Sequence, residues 1–388
     1  MYPTLSDLLK DLLGLNIPLP IQMFGFMVAI AFVVGHYVIA AELKRKKELG
    51  YFQPIKRTET IGLPATTNEI ALNALFGFLL GFKLVHIFLN YTLFTQDPPS
   101  MVLSMQGNFL AGIIGAIGLA YYSYYEKQKT KLERPIKKEL ILYPHDLMGT
   151  IIVIAAVFGL LGAKIFHNLE NFDYFLKNPI DALLSFSGLT FYGGLIVGLG
   201  AVYYYAKKNN IPFIHLIDAA APGLILAYAI GRIGCQLSGD GDWGIVNTLP
   251  KPSSLSFLPD WAWAYKYPHN VLGEGVPIAG CVGKHCMELP QAVFPTPLYE
   301  SVLGFIIFAF LWTIRKRISI MGMMFSIYLF LNGMERFFIE KIRVNTLYHT
   351  FGFSFTQAEL ISSILMLLGL IGIYVSYKNA RKNESTRG

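Results

Sequence analysis

The chain has 388 residues, of which 54% are hydrophobic and only 15% charged, with a formal net charge of +7 at neutral pH. Soluble domains carry about 25% charged residues, so the composition excludes an ordinary water-soluble fold. It also excludes a nucleic-acid footprint, because the basic residues sit in loops between apolar runs rather than on one face.

The first residues, MYPTLSDLLKDLLGLNIPLP, lack a basic region ahead of an apolar stretch, so no cleavable signal is expected. Ser6 can cap a short amphipathic helix with Leu8, Leu9, Leu12 and Leu13 on one face. Residues 1–19 then form an arm lying flat in the membrane interface. Nine apolar runs follow, at 20–41, 69–93, 102–124, 146–168, 183–206, 213–237, 297–314, 322–342 and 356–377. A run of about 20 apolar residues spans a bilayer. The expectation is an all-α polytopic membrane protein, a single integral membrane domain with about nine transmembrane helices and one large outer (periplasmic) loop insertion.

Basic residues orient it. Lys44, Arg45, Lys46, Lys47, Lys56 and Arg57 follow the first run, and Lys127, Lys129, Lys131, Arg134, Lys137 and Lys138 follow the third. Lys207 and Lys208, then Arg315 to Arg317, then Lys378, Arg381, Lys382 and Arg387 complete the series, whereas 94–100 holds none. Cytoplasmic loops carry such an excess. This places the N-terminus outside, the C-terminal tail 378–388 in the cytoplasm, and basic side chains near anionic lipid heads.

Within the runs, FGFLLGFKLVHIF (76–88) and FGLLGAKIFHNL (158–169) share a Gly-x-Lys-x-x-His order. Duplication of a helix is one account; chance similarity among apolar sequences is the one adopted at this level. Gly77 with Gly81, and Gly194 with Gly198, let helices approach closely. Lys83 and Lys164 are costly in a bilayer unless they snorkel or pair.

The segment 239–295 is rich in Pro and Gly and holds Trp261, Trp263, Tyr265 and Tyr267. Such rings suit a membrane–water boundary or a small core folded over helix ends. Two of the three cysteines, Cys281 and Cys286, fall here. A disulfide, free thiols and a metal site with His285 all remain open, although the spacing matches no strong zinc pattern.

Ionisable residues within apolar runs are functional candidates because lipid makes them expensive. Arg232 ends the sixth run, boxed by Gly231 and Gly234, with Asp240 and Asp242 just beyond. Tyr299 and Glu300 open the seventh run, and Tyr192 precedes Gly193 and Gly194 in the fifth. In NGMERFFIEKIR, the residues Asn332, Arg336, Glu340 and Arg343 share one helical stripe. The plainer account is an i,i+4 pair of Arg336 with Glu340, which leaves Arg232 and Arg343 without fixed partners. Arginine holds phosphate by paired donors in a partly desolvated site, so the cluster points to a phospholipid headgroup or a phosphate leaving group.

These residues carry a resemblance. GRIGCQLSGDGDWG resembles the signature of prolipoprotein diacylglyceryl transferases, and PTPLYE, RFFIEKIR and FYGGLIVG resemble three further segments of that family in the same order. Asp218 and Pro222 match its Asp and Pro ahead of the signature. Where relatives have Asn, Glu, His and a first-helix Tyr, this chain has Cys235, Asp240, Tyr192 and Phe24, with one residue inserted before Trp243. The family usually has seven spans, so 69–124 reads as a two-helix insertion.

The resemblance implies transfer of diacylglycerol from phosphatidylglycerol to the lipobox cysteine thiol of prolipoprotein signal peptides in the bacterial inner membrane. Glycerol phosphate is released at a site toward the outer face. It implies Tyr192, Arg336 and Glu340 as catalytic, and Arg232, Gly234, Asp240, Gly244, Glu300 and Arg343 as phosphatidylglycerol-binding, with no cofactor or metal. Gly234 and Gly244 would give the lipid access to backbone. Tyr192 in place of His leaves the thiol's base open; an arginine field acidifying the thiol is the other account. Cys235 is not the nucleophile on this reading. The competing classes are a transporter or flippase of an anionic lipid or small anion, and a structural subunit.

Overall fold

A computed structural model of the chain describes residues 1–184, 190–350 and 353–385. Helices α1 (Leu5–Leu13) and α2 (Met23–Glu48) lead to strand β1 (Ile55–Ile61). Helix α3 (Thr67–Leu89), the short α4 (Tyr91–Gln96) and α5 (Pro98–Leu103), and α6 (Phe109–Thr130) precede strand β2 (Ile136–Leu142). The same order recurs in α7 (Met148–Glu170), α8 (Phe172–Lys177), α9 (Pro179–Leu184) and α10 (Phe191–Lys208). Helix α11 (Phe213–Ser238) runs into the segment 239–295, which holds strands β3 (Val276–Pro277) and β4 (Met287–Glu288). Helices α12 (Thr296–Ile314) and α13 (Met323–Glu340), strands β5 (Leu347–Thr350) and β6 (Phe353–Thr356), and helix α14 (Gln357–Ser385) close the chain.

Among the described residues, six helices are long and apolar enough to cross a membrane: α2, α3, α7, α11, α12 and α14. The other long helices, α6, α10 and α13, coincide with expected runs but are more polar. Helix α6 ends in Glu126, Lys127 and Lys129, α10 in tyrosines and two lysines, and α13 carries Glu335, Arg336 and Glu340. The start of the run expected at 183–206, and Arg387 of the tail, lie outside the described residues.

Among the described residues, three two-stranded antiparallel sheets correct the all-α expectation. The largest joins the two basic loops: β1 pairs with β2 from Ile55↔Leu142 to Ile61↔Ile136, with Glu59 opposite Lys138. Opposite charges across a ladder attract. The lysines that mark these loops as polar also hide their strand character.

The chain forms two compact units. The first comprises Met1–Phe52, Pro144–Ile152 and Ile211–Gly388. Its centre is α11, which packs against α2, α12 and α13. Ala221 and Ile225 of α11 meet Ile307, Leu311 and Met324 in one buried cluster. Small residues set the spacing: a Cβ on Gly223 would lie 2.4 Å from Ile39, and one on Gly304 2.8 Å from Ala229. Asp218, buried in α11, accepts hydrogen bonds from the backbone N–H groups of Gly322 (2.7 Å) and Phe325 (2.9 Å). A carboxylate on the orphan donors at the start of α13 offsets the helix-end charge, and Lys46 lies 3.6 Å away.

The N-terminal helix forms, but its cap is Thr4, in a reciprocal box with Asp7, rather than Ser6. Ser6 Oγ instead closes the following loop, donating to the carbonyl of Ile17 at 2.8 Å and accepting from Leu19 N–H at 2.5 Å.

The second unit comprises Gln53–Tyr143 and Val153–Asn210. Its two helical hairpins correspond far beyond the short shared motif, so the chance reading fails. Lys83, His86 and Asn90 match Lys164, His167 and Asn171. Asn90 donates to the His86 carbonyl at 3.0 Å, and Asn171 to the His167 carbonyl at 3.0 Å. Asn108 N–H reaches the Phe82 carbonyl (2.9 Å) where Thr190 N–H reaches that of Ala163 (3.1 Å). A Cβ on Gly81 would lie 2.2 Å from the Ala111 carbonyl oxygen, and one on the matching Gly162 2.4 Å from that of Gly193. One supersecondary unit thus occurs twice. The matched signal in the primary structure is thin because apolar faces toward lipid accept many substitutions.

Gly81→Leu therefore overpacks the α3–α6 contact and should cost about 1–3 kcal/mol. Gly25→Leu, with nothing within 4 Å of its Cβ, should be neutral. Thermal unfolding of the two variants in detergent checks the contrast.

Candidate active site

The site is built where α11 and α13 end and α12 begins, beside the segment 239–295. Pro295 and Pro297 flank the start of α12, where a missing N–H is harmless. Glu300, one turn on, is wholly buried. Arg232 sits six residues before the end of α11, and Arg336 and Arg343 straddle the end of α13.

Glu300 holds all three arginines. Its Oε2 is 2.5 Å from Arg232 Nε. Its Oε1 accepts from Arg336 at 3.2 Å and from Arg343 at 3.0 Å. Asp242 bridges Arg343, at 2.7 Å, and Arg232. Glu340 lies 3.4 Å from Arg336 and accepts from Asn345 (2.6 Å) and Thr356 Oγ1 (2.7 Å). Arg232 and Arg343 thus have fixed partners, contrary to the expectation that the plain account leaves them free. Breaking a buried pair by removing one partner costs about 3–5 kcal/mol, so the mutual pairing also holds α11, α12 and α13 in register.

Pairing does not exhaust the arginines. Each guanidinium has five N–H donors, and Arg343 Nε has no hydrogen-bond partner although buried. Arg336 is the most open of the three, its side chain 26% exposed. The ring of Tyr228, one turn before Arg232 on α11, supports the Arg232 guanidinium at 5.2 Å.

The two glycines assigned to lipid contact have another role. A Cβ on Gly234 would meet Met27 at 3.0 Å and the Phe24 backbone at 3.3 Å, so Gly234 seats α11 on α2. Gly244 pairs as an isolated bridge with Arg343, and a Cβ there would lie 2.4 Å from the Ile342 carbonyl oxygen. It positions Arg343 and leaves no backbone face open. Gly231, by contrast, has nothing within 4 Å of its Cβ position.

Asp242, rather than the Asp240 singled out from the chain, meets the arginines. Asp240 touches neither arginine by an ion pair among the described residues; it accepts from Asp242 N–H at 3.4 Å and neighbours the Cys235 thiol. Burial holds the Asp240 carboxyl above its ordinary range, only partly opposed by the thiol's hydrogen bond. Burial alone would raise Asp242 too, but Arg232 and Arg343 reverse this and hold it below the usual range. The doubled acid in GDGD was the signal for Asp242. Tyr192 lies at the second position of α10, in the other compact unit, its ring edge-on to Phe191.

The segment 239–295 forms a small core. Trp243, Tyr267, Leu289 and Val293 are buried together, with Tyr265 packed against them; Trp261 stays 47% exposed. Cys281 and Cys286 form a disulfide, which ends the thiol and metal alternatives there. Tyr299 Oη donates to the Ala262 carbonyl at 3.0 Å, tying this core to α12 beside Glu300.

Apolar helices converging on a buried arginine–carboxylate cluster define a multi-pass membrane protein. The profile of the family described as prolipoprotein diacylglyceryl transferase matches residues 108–375. Proteins named phosphatidylglycerol–prolipoprotein diacylglyceryl transferase are similar. That of Corynebacterium diphtheriae is 29% identical over 246 residues, 62% of this chain and 81% of that one. That of Clostridium novyi is 30% identical over 276 residues, 71% of this chain and 90% of that one. The chain belongs to the prolipoprotein diacylglyceryl transferase family.

The two acids give opposite predictions. Asp242, lowered in the folded state, contributes stability above its unfolded pKa that is lost as pH falls through its folded value. Asp240, raised, opposes folding once ionised. At pH 7, Asp242→Asn should lower the thermal midpoint and flatten its acid limb, and Asp240→Asn should raise it. Melting curves from pH 3 to 8 check both signs.

Proposed function

We infer that the protein is a transferase that moves the diacylglyceryl group of phosphatidylglycerol onto a prolipoprotein cysteine, the lipobox thiol. A thioether forms and glycerol phosphate leaves. The observation that carries this is the gathering of Arg232, Arg336 and Arg343 on the single buried carboxylate of Glu300. A phosphodiester arriving with one negative charge leaves as a monoester with two, and fixed donors aimed at growing charge lower the barrier most. Glu300 and Asp242 hold the guanidinium planes so that no reorganisation is needed at the moment of reaction. Arg232 takes the lipid phosphate, Arg336 the departing phosphate, and Glu340 orients Arg336. The same positive field favours the thiolate over the thiol.

On this reading the nine long helices among the described residues are spans, with the N-terminus outside, the tail in the cytoplasm and the arginine cluster toward the outer face of a bacterial inner membrane. The hairpin at 69–124 is an insertion made by duplicating the α7–α10 unit. The paired strands β1 and β2, with Lys56, Arg57, Lys137 and Lys138, then face the cytoplasm, as the charge rule asks. Cysteines introduced at 127–138 and at 245–258 should label from opposite sides; a membrane-impermeant reagent on whole cells reads this.

Purified protein with phosphatidylglycerol and a lipobox peptide should yield a diacylglyceryl adduct by mass spectrometry. Arg232→Lys keeps the charge but loses the planar fork. Losing one charge-assisted hydrogen bond, about 1.5–3 kcal/mol, should slow adduct formation roughly 10- to 150-fold. A near-wild-type rate would remove Arg232 from the phosphate. Cys235→Asn should keep activity.

A further inference from the structure

Among the described residues, two acidic side chains near the cluster, Asp240 and Glu335, form no ion pair with an arginine. Arg232, Arg336 and Arg343 are matched by Glu300, Asp242 and Glu340 in ion pairs. Glu335, the residue before Arg336, is a further carboxyl and is only 4% exposed. Its Oε2 has no hydrogen-bond partner among the described residues. Its Oε1 lies 3.5 Å from the hydroxyl of Tyr228, the ring that carries the Arg232 guanidinium. Its charged neighbours are Glu300, Arg336 and Arg232, and the three arginines are already paired with three other carboxylates.

Packing gives no reason for an acid here. Burying a carboxyl without a full set of partners costs several kcal/mol, and an apolar residue of similar size would fill the space without that cost. Its position is informative. Tyr228 lies one turn inward of Arg232 on α11, and Glu335 lies two turns inward of Arg343 on α13. Glu335 therefore stands just inside the arginine layer. If the arginines hold the phosphate, the glycerol carbon attached to it hangs on that inner side. A carboxylate that spends neither oxygen on an arginine keeps a lone pair for a proton.

We propose that Glu335 is the proton acceptor for the attacking thiol, a catalytic residue of this chain that the family signature does not include. The proposal rests on the transferase reading above. The thiol proton passes to a Glu335 oxygen, and the sulfur's electron pair attacks the glycerol carbon. The S–C bond forms as the C–O bond to phosphorus breaks, and that bond's electrons leave on the phosphate oxygen. The phosphate leaves as the monoester dianion, and Glu335 releases its proton to solvent, which restores the carboxylate. Charge is conserved at each step, and no co-reactant is required.

The test is single-turnover adduct formation between pH 5.5 and 9, using the full chain in detergent with phosphatidylglycerol and a lipobox peptide. A general base contributes about 10²–10⁴-fold. Glu335→Gln should lose that factor at pH 7 and regain rate as pH approaches the thiol's own pKa of about 8.5. Stabilisation of the variant by phosphatidylglycerol in thermal unfolding should be unchanged. Glu335→Asp should retain part of the rate. A rate within threefold of wild type for Glu335→Gln at pH 7 overturns the proposal, as does an equal loss at every pH, which marks a structural role. If Glu335→Gln does not fold, Tyr228→Phe decides. Removing the hydroxyl at Oε1 should displace the acid limb of the rate profile, and an unmoved limb counts against Glu335. A wild-type protein that makes no adduct at any pH sinks the transferase reading itself.

Discussion

A carboxylate with no exposed surface, Glu300, sits under three guanidinium groups at the joint of α11, α12 and α13. Taking one such charge out of water costs several kcal/mol, and good geometry with further hydrogen bonds is what offsets it. The helices therefore cannot slide or rotate independently: a shift at α12 leaves arginines of α11 and α13 unmatched. The same ion pairs fix the planes of the three guanidinium groups.

Around this joint, packing depends on small residues rather than on hydrophobicity, since lipid tails are as apolar as leucine. Gly223 and Gly304 bring α2 and α12 onto α11, and Gly234 brings the site end of α11 onto α2. In the second unit the same device appears twice, at Gly81 and Gly162. Duplicating a hairpin is a conservative way to enlarge a membrane protein, because a pair of helices leaves the sidedness of everything after it intact.

The segment 239–295 does for the open side what Glu300 does for the buried side. Its aromatic core, disulfide and Tyr299 tether fix Trp243 and Asp242, and Asp242 then fixes Arg232 and Arg343. The loop is thus part of the arginine geometry and more than a cover.

The chain alone determined the solvent, since few charges and long apolar runs allow only a membrane protein. It also singled out Arg232, Glu300, Arg336, Glu340 and Arg343, because charges within such runs demand a reason and their motifs stand in family order. What it left undecided was pairing. Whether Asp240 or Asp242 meets the arginines, and whether Glu335 has a partner, depends on distances between helices far apart in the chain. A helical stripe selects Asn332, Arg336, Glu340 and Arg343 by spacing along one helix, and so passes over Glu335, whose environment is made by α11. Glycines could be read as open backbone or as close packing, and only the neighbours of each Cβ position decided for packing at Gly234 and Gly244. The β1–β2 pairing and the duplicated hairpin were hidden for a related reason. Their evidence lies in hydrogen bonds and contacts that recur while side chains facing lipid or water drift. Local chemistry is written along the chain, but charge balance and contact are properties of three dimensions.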